Sequence, residues 1–160
     1  IHILKQKEFA MTMPAGRYYV GDLCYVINDD KVWSEICELT MPYNSKTKET
    51  DYKDGEFTLA DGRRIVIYST KYGDGGYRSN IGTYHSVDAG VIGAILESEC
   101  DSKYENINNL GAFVDFPEPW EHSGGRWTNY DGWDGVIHLG HVAIATGDTE
   151  DEDEDEELEA

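Results

Sequence analysis

Short apolar segments bounded by glycine or proline run through most of this chain. Examples are the run at residues 91–96 and the stretches "GAFVDF" and "GVIHLGHVAIATG". Glycine permits positive φ and close backbone approach, so such boundaries indicate tight turns between short strands. The pattern predicts about seven to nine strands and argues against a fold built from long helices.

One turn has a specific signature. In "EFTLADGRRIVIYST", apolar residues alternate at positions 57 and 59 before the pair Asp61-Gly62, and at 65 and 67 after it. An Asp-Gly pair between alternating apolar runs is the strongest short-range hairpin signal. Nearby, residues 17–20 and 23–27 read as two extended pieces around a Gly-Asp turn, and residues 41–55 read as a polar surface loop.

In the segment "DKVWSEICELT" the spacing of the apolar residues changes from that of a strand to that of a helix. Apolar residues four apart, at positions 32 and 36 and at 33 and 37, share one face of a helix, and Asp29 or Asp30 is a suitable N-cap. The sequence therefore predicts a mainly β (α+β) domain, either a single β-sandwich or a partly open, barrel-like domain, with one short helix.

The C-terminal residues 148–160 have a different composition. Ten of these thirteen residues are Asp or Glu and none is basic. Such a segment buries too little apolar surface to offset its ordering entropy, so we expect a disordered acidic tail after a globular domain at residues 1–147. Removing the ten tail charges from the net charge of −19 leaves −9 on residues 1–147, so the domain is acidic too.

This acidity limits the partners. Direct nucleic-acid binding is not expected, because phosphates require clusters of Lys and Arg. A DNA mimic that binds a host nucleic-acid-binding or restriction factor stays open as an alternative. The apolar runs are too short for a membrane span. The three cysteines, Cys24, Cys37 and Cys100, are odd in number and widely spaced, which indicates reduced thiols, so we expect a cytoplasmic protein.

Motifs for metals and cofactors are weak. The glycines of "YGDGGY" are not followed by the Lys-Ser/Thr pair of a phosphate-binding loop. His138 and His141 are three apart in a predicted strand and would face opposite sides. Asn129, Asp131 and Asp134 depart from calcium-loop spacing, and a hairpin turn explains them better. We therefore expect no metal site and no cofactor.

Catalytic residues are equally hard to identify. No activated nucleophile or acid–base pair stands out in the sequence, so we predict that the protein is not an enzyme. The least implausible polar group, for a small enzyme of nucleotide or toxin metabolism, is Asp22, Asp74, His85 and Asp88. Aspartate at a turn is the simpler explanation for these acids.

Aromatic residues concentrate in "FPEPWEHSGGRWTNYDGWDG". Tryptophan and tyrosine bury large areas at small entropy cost, so this stretch is the preferred contact surface, although the same rings could cap the end of a β core. The predicted partner-binding residues, which include three acids of the tail, are Trp120, Trp127, Tyr130, Trp133, Asp151, Asp153 and Asp155.

The opening "IHILKQKEFAMTMPAGRYYVGDLCYVI", the stretch "YSTKYGDGGYRSNIGTYHSVDAGVIGAI" and the acidic end together resemble an early protein family of T4-like bacteriophages, the protease inhibitors that target the host ATP-dependent Lon protease. "GDLCYV" and "YGDGGY…VDAG" also resemble a wider group of small phage and bacterial proteins without assigned chemistry. The resemblance implies an inhibitor that binds hexameric Lon and blocks ATP-dependent proteolysis, and it assigns no inhibitory residues.

How such an inhibitor acts follows from the acidic, aromatic character of the chain. We expect it to restrain the domain motions that couple ATP hydrolysis to translocation, rather than to occupy the proteolytic site. The tail would raise the association rate by electrostatic attraction, with specificity residing in the folded domain. Self-association of the inhibitor is a further option.

Overall fold

The computed structural model describes residues 12–101, 110–124 and 133–147. Within these ranges the chain forms thirteen strands, one α-helix and two short 3-10 turns. The helix is α1 (Asp30–Thr40), and the 3-10 turns are Leu23–Tyr25 and Glu97–Glu99. The strands in chain order are β1 (Thr12–Met13), β2 (Gly16–Gly21), β3 (Tyr43–Asn44), β4 (Glu49–Thr50), β5 (Gly55–Thr58), β6 (Arg64–Ser69), β7 (Gly75–Arg78), β8 (Tyr84–Val87), β9 (Val91–Leu96), β10 (Gly111–Phe116), β11 (Trp120–Ser123), β12 (Val136–Leu139) and β13 (Val142–Ala145).

Two antiparallel sheets form the body of the domain. The larger has five strands in the order β10-β2-β9-β6-β5, and the smaller has four in the order β1-β11-β12-β13. The hairpin β7–β8 joins the smaller sheet through a bridge between Ser79 and Ile144. The ribbon β3–β4 stands apart from both sheets. The predicted mainly β domain with one helix is confirmed for the described residues, as packed sheets and not as a closed barrel.

The five-stranded sheet is buried on both faces because its strands are apolar on both sides. In β2, Tyr18 and Val20 face the four-stranded sheet, where they pack with residues such as Leu139. Tyr19 faces the opposite way, into a second core that includes Ile36 of the helix. Alternation of side chains along each strand therefore produces three layers: helix, large sheet, small sheet.

The helix begins where the sequence predicts it. The side chain of Asp29 is the N-cap and accepts a hydrogen bond from the backbone N–H of Lys31 at 2.8 Å. Ile36 is fully buried, and Val32 and Trp33 pack around it. The predicted hairpin is also present, since β5 and β6 pair around the Asp61-Gly62 turn.

Three local predictions are wrong. Residues 23–25 form a 3-10 turn and not a strand, because the Asp22 carboxylate accepts a hydrogen bond from the Cys24 amide and caps the turn. Residues 41–55 are not simply a loop, since they include the ribbon β3–β4. His138 lies in β12, whereas His141 lies in the β12–β13 turn, so the two histidines do not share a strand.

Gly93 occupies the centre of the large sheet, paired with both Gly21 of β2 and Ile67 of β6. A Cβ at this position would lie 1.9 Å from the carbonyl oxygen of Val66. Because that oxygen belongs to the backbone of a neighbouring strand, a Gly93→Ala variant must separate the strands. We expect it to lower the free energy of unfolding by about 2 kcal/mol, measured by urea denaturation.

Gly82→Ala is the control for this experiment. Gly82 has a positive φ of 84°, and a Cβ added there would meet nothing within 4 Å. Its cost should be limited to the left-handed backbone, about 1 kcal/mol. Amide hydrogen exchange separates the two effects, because only Gly93→Ala should reduce protection in β6 and β9. Equal protection in both variants would contradict the steric explanation.

Candidate functional site

Trp120 lies in the core between the two sheets. It is 5% exposed, and its ring stacks on Phe116 with centroids 4.4 Å apart and planes at 21°. The same ring meets Tyr18 in an edge-to-face contact at 5.1 Å. Trp120 was predicted to bind a partner; in the structure its ring caps the end of the β core, which is the alternative that the sequence also offered.

Trp133 is half-buried and packs against the same core. Its backbone carbonyl accepts a hydrogen bond from the Lys71 ammonium at 2.8 Å, which ties the segment before β12 to the segment after β6. The other predicted contact residues lie outside the described residues, namely Trp127, Tyr130, Asp151, Asp153 and Asp155.

Asp22 is a buried structural carboxylate. Its Oδ2 accepts hydrogen bonds from the backbone N–H groups of Asp88 at 2.8 Å and Ala89 at 2.7 Å, and its Oδ1 accepts from Cys24 at 3.0 Å. Burial raises the pKa of Asp22, and these backbone donors oppose that effect. Both oxygens are thus used to hold two chain segments together. Asp74, by contrast, is exposed.

His85 is also fully buried, on β8. Its Nε2 is hydrogen-bonded to the Thr83 hydroxyl at 2.7 Å. Burial lowers the pKa of His85 to about 4, against the smaller effect of the Val20 backbone. The imidazole is therefore neutral at physiological pH. Of the four polar residues, Asp22 is hydrogen-bonded to the backbone of Asp88, whereas His85 is hydrogen-bonded to Thr83.

A second buried histidine connects the two sheets. His122 Nδ1 is hydrogen-bonded to the Tyr68 hydroxyl at 2.7 Å, and its Nε2 lies 3.4 Å from Glu56. The other Glu56 oxygen pairs with Arg64 at 2.6 Å. Burial raises the pKa of Tyr68 and lowers that of His122, with Glu56 opposing the latter shift. Sequence reasoning missed this chain of polar groups, since its members come from three separate strands.

The ribbon β3–β4 presents exposed apolar side chains. Tyr43 pairs with Thr50, and hydrogen bonds from Asp51 to Pro42 and from Lys53 to Thr40 continue the ladder. Continuing this register places Met41 opposite Tyr52. Met41 and Tyr52 lie just outside the two strands, and Met41, Tyr43 and Tyr52 are all exposed.

A cavity of about 360 Å³ opens beside these residues. Met41 and Tyr52 form part of its wall, and Asp54, Ser69 and Gly90 line it from the ribbon's end, β6 and the segment before β9. Asp54 is anchored there, because its Oδ1 accepts hydrogen bonds from the backbone N–H and the hydroxyl of Ser69 at 3.0 and 3.2 Å. The volume lies at the lower end of the range for ligand pockets.

We define the aromatic surface as Met41, Tyr43, Tyr52 and Tyr72. Their exposed fractions are 43%, 65%, 45% and 57%. Tyr72 directly precedes Gly73, which also lines the cavity. The sequence held a signal for this ribbon. Met41 and Tyr43 alternate before the turn-forming pair Asn44-Ser45, and Thr50 and Tyr52 alternate after it. The intervening polar residues concealed that alternation.

Acidic side chains outnumber basic ones in the described ranges. These ranges contain nineteen Asp and Glu residues against nine Lys and Arg. Arg17, Arg63 and Arg64 each form ion pairs with acidic side chains, so part of the negative charge is neutralised locally. The described ranges nevertheless remain acidic overall.

No group of three His, Cys, Asp or Glu residues described by the structure is arranged to hold a metal ion. Asp134 uses its Oδ1 to accept from the Val136 amide at 3.0 Å, and Asn129 and Asp131 lie outside the described residues. No described helix has the length and apolar character needed to cross a membrane.

Comparisons with protein-family models, curated proteins and solved structures find no match. The described residues combine exposed aromatic rings, a small cavity and an acidic surround. Exposed aromatic side chains are enriched among the residues that dominate binding at protein interfaces.

Proposed function

We propose that this protein is a non-enzymatic phage inhibitor that binds the host Lon AAA+ protease in the host cytoplasm and blocks ATP-dependent proteolysis. In this proposal it restrains the conformational motion of the protease and does not occupy the proteolytic site. The proposal continues the sequence resemblance described above, and the aromatic surface supplies the contact residues.

The observation that carries the proposal is the position of the exposed apolar side chains. Among the described residues, five large apolar side chains are exposed, and four of them form the aromatic surface. Tyrosine is enriched in binding hot spots because its ring buries a large area with few rotatable bonds. Because the other large apolar residues of the described ranges are mainly buried, these exposed side chains support a protein partner.

The shape of this surface favours restraint over active-site blockade. A protease cleft binds a single extended segment, whose alternate side chains enter pockets. Here Tyr43 lies on a two-stranded ribbon, and Tyr72 precedes Gly73, which lines the same cavity as Tyr52; a contact through all three suits a broader surface. An inhibitor attached to such a surface acts by holding neighbouring domains in one arrangement, because it stabilises only the conformation it fits.

Replacing both Tyr43 and Tyr72 with serine tests the contact surface. Both rings are largely exposed, so the folded state should be preserved. We expect the concentration needed for half-inhibition of Lon to rise about thirtyfold, since exposed aromatic anchors each contribute on the order of 1 kcal/mol to binding, or about 2 kcal/mol for the two. The measurement is ATP-dependent degradation of a protein substrate by purified Lon.

Ile81→Ser is the matched control, because Ile81 is also a large exposed apolar residue, 42% accessible, but lies in the β7–β8 turn. Its inhibition should equal that of the unmodified protein. Loss of inhibition in both variants to the same degree would remove the aromatic surface from the proposal.

ATP hydrolysis distinguishes the two modes of inhibition. Restraint of motion should lower ATP turnover together with protein degradation, since both depend on the same domain movements. Loss of peptide cleavage with unchanged ATP turnover would instead indicate blockade of the proteolytic site. Capture of host DNA-binding proteins without Lon, reversed by added DNA, would support the DNA-mimic alternative.

A further inference from the structure

We propose that the ribbon β3–β4 and its exposed lysines form a docking surface for the acidic segment 148–160 of the same chain. This contact goes beyond the proposed function and does not depend on the identity of the partner. It follows from the lysines of the ribbon, the composition of the segment and the position of the last described residue, Gly147.

Three lysines of the ribbon have no acidic partner. Lys46, Lys48 and Lys53 are exposed, and none of their ammonium groups forms an ion pair within the described ranges. Lys46 and Lys48 lie in the turn, where the backbone N–H of Lys48 donates to the Asn44 carbonyl at 2.7 Å. Lys53 lies at the base, where its backbone N–H donates to the Thr40 carbonyl at 2.8 Å. Positive charge is therefore available at both ends of the ribbon.

The other cations of the described ranges are placed differently. Lys31 is exposed too, but it lies on α1 in a groove that it shares with Asp30, Glu35 and Glu38. The remaining five are engaged by other groups: Arg17, Arg63 and Arg64 in ion pairs, Lys71 at the Trp133 carbonyl and Arg78 over the Tyr84 ring. The ribbon is thus the place in the described ranges where several cations lack a partner.

The segment 148–160 supplies the complementary charge from a nearby point. Ten of its thirteen residues are acidic and none is basic. It follows Gly147, and the Thr146 hydroxyl oxygen accepts a hydrogen bond from the Lys71 backbone N–H at 3.0 Å. Two residues beyond Lys71, Gly73 lines the same cavity as Met41, which lies at the base of the ribbon. Segment 148–160 therefore begins beside the cavity that borders the ribbon.

Length and attachment favour this occupant over a free acidic peptide. Thirteen extended residues span up to about 43 Å, whereas the ribbon from its base to its turn measures about 23 Å. Each exposed ion pair contributes only about 0 to 1 kcal/mol, but attachment raises the effective concentration of the segment to about the millimolar range. A segment on this path covers Tyr43, so a partner that uses the aromatic surface displaces it.

Zero-length cross-linking of the full-length protein tests the contact. A carbodiimide activates a carboxylate, which forms an amide with a lysine amine that it touches, while the reagent takes up the oxygen as a urea. Links from segment 148–160 to Lys46, Lys48 and Lys53 should exceed those to Lys31 about fivefold at low salt, and about 0.5 M sodium chloride should abolish the excess by screening. Equal links to Lys31 at low salt would overturn the proposal.

A mixture of unlabelled and 15N-labelled protein shows which copy supplies the segment. Linked peptides of one label confirm a contact within the chain, whereas peptides of mixed label would place the segment on a second copy and overturn the proposal.

Lys46→Gln combined with Lys48→Gln removes the charge at the turn. Links to Lys53 should fall about threefold in this variant, because the segment is held there less often. Lys31→Gln is the matched control and should leave these links unchanged. An unaltered yield at Lys53 in the double variant would contradict docking along the ribbon.

Replacing the ten acids of the segment with their amides provides a measurement without cross-linking. In the full-length 15N-labelled protein, this change should shift the amide resonances of the ribbon and leave those of the two large sheets in place. Unchanged ribbon resonances would contradict the contact. Links from the segment without inhibition of Lon would leave the docking intact and count only against the proposed function.

Discussion

Asp22→Ala is expected to lower the free energy of unfolding by about 4 kcal/mol, because three backbone amides lose the carboxylate that accepts their hydrogen bonds. Hydrogen bonds to a charged acceptor are stronger than neutral ones, and a buried donor left without an acceptor carries its full desolvation cost. Urea denaturation at neutral pH measures the loss, and hydrogen exchange at Asp88 and Ala89 locates it.

The sequence offers a matched control for this substitution. Asp74 follows a glycine, as Asp22 does, but its side chain is exposed. Asp74→Ala should therefore change stability by less than about 0.5 kcal/mol. Asp22→Asn should give an intermediate loss, since an amide supplies one acceptor and places an NH₂ group against the other donors. Equal stability of the two alanine variants would show that Asp22 does not hold these segments together.

The contrast between the two Gly-Asp pairs also shows what could be predicted from the sequence. The Asp61-Gly62 hairpin and the Asp29 cap were predictable, because each depends on residues within a few positions of one another. The partners of Asp22 in the Asp88 segment lie more than sixty residues away, so its structural role depended on the tertiary fold. The predicted extended segment at residues 23–27 was wrong for a local reason, since the Asp22 carboxylate accepts a hydrogen bond from the Cys24 amide and caps a 3-10 turn there.

The exposure of aromatic residues also depended on the tertiary fold and could not be predicted from local sequence. Trp120 was predicted at an interface from local aromatic density, but strand pairing turns its ring into the core. Tyr52 received no role from the sequence, although it lies beside the cavity. Burial of one aromatic residue and exposure of another depend on which face of a sheet or ribbon is covered, and composition carries no information on that choice.

The stability of the protein should fall as the pH is lowered from about 6.5 to about 4, in part because of His85. Burial lowers the pKa of this imidazole to about 4 in the folded state, whereas the unfolded chain binds the proton near the ordinary value of 6.5. The unfolded state therefore binds more protons throughout this interval, and acidification favours it. The contribution of His85 is about 3 kcal/mol, lost progressively across the interval.

His85→Gln isolates this contribution, because glutamine can still pair with the Thr83 hydroxyl but does not titrate. At pH 7.5 the variant should be less stable than the unmodified protein, since it packs less well in a fully buried site. On acidification the difference should shrink and then reverse, as the imidazole loses its advantage. His138→Gln, at an exposed position of β12, controls for the substitution itself. Parallel stability curves for His85→Gln and the unmodified protein between pH 6.5 and 4 would show that His85 is protonated as readily in the folded core as in the unfolded chain.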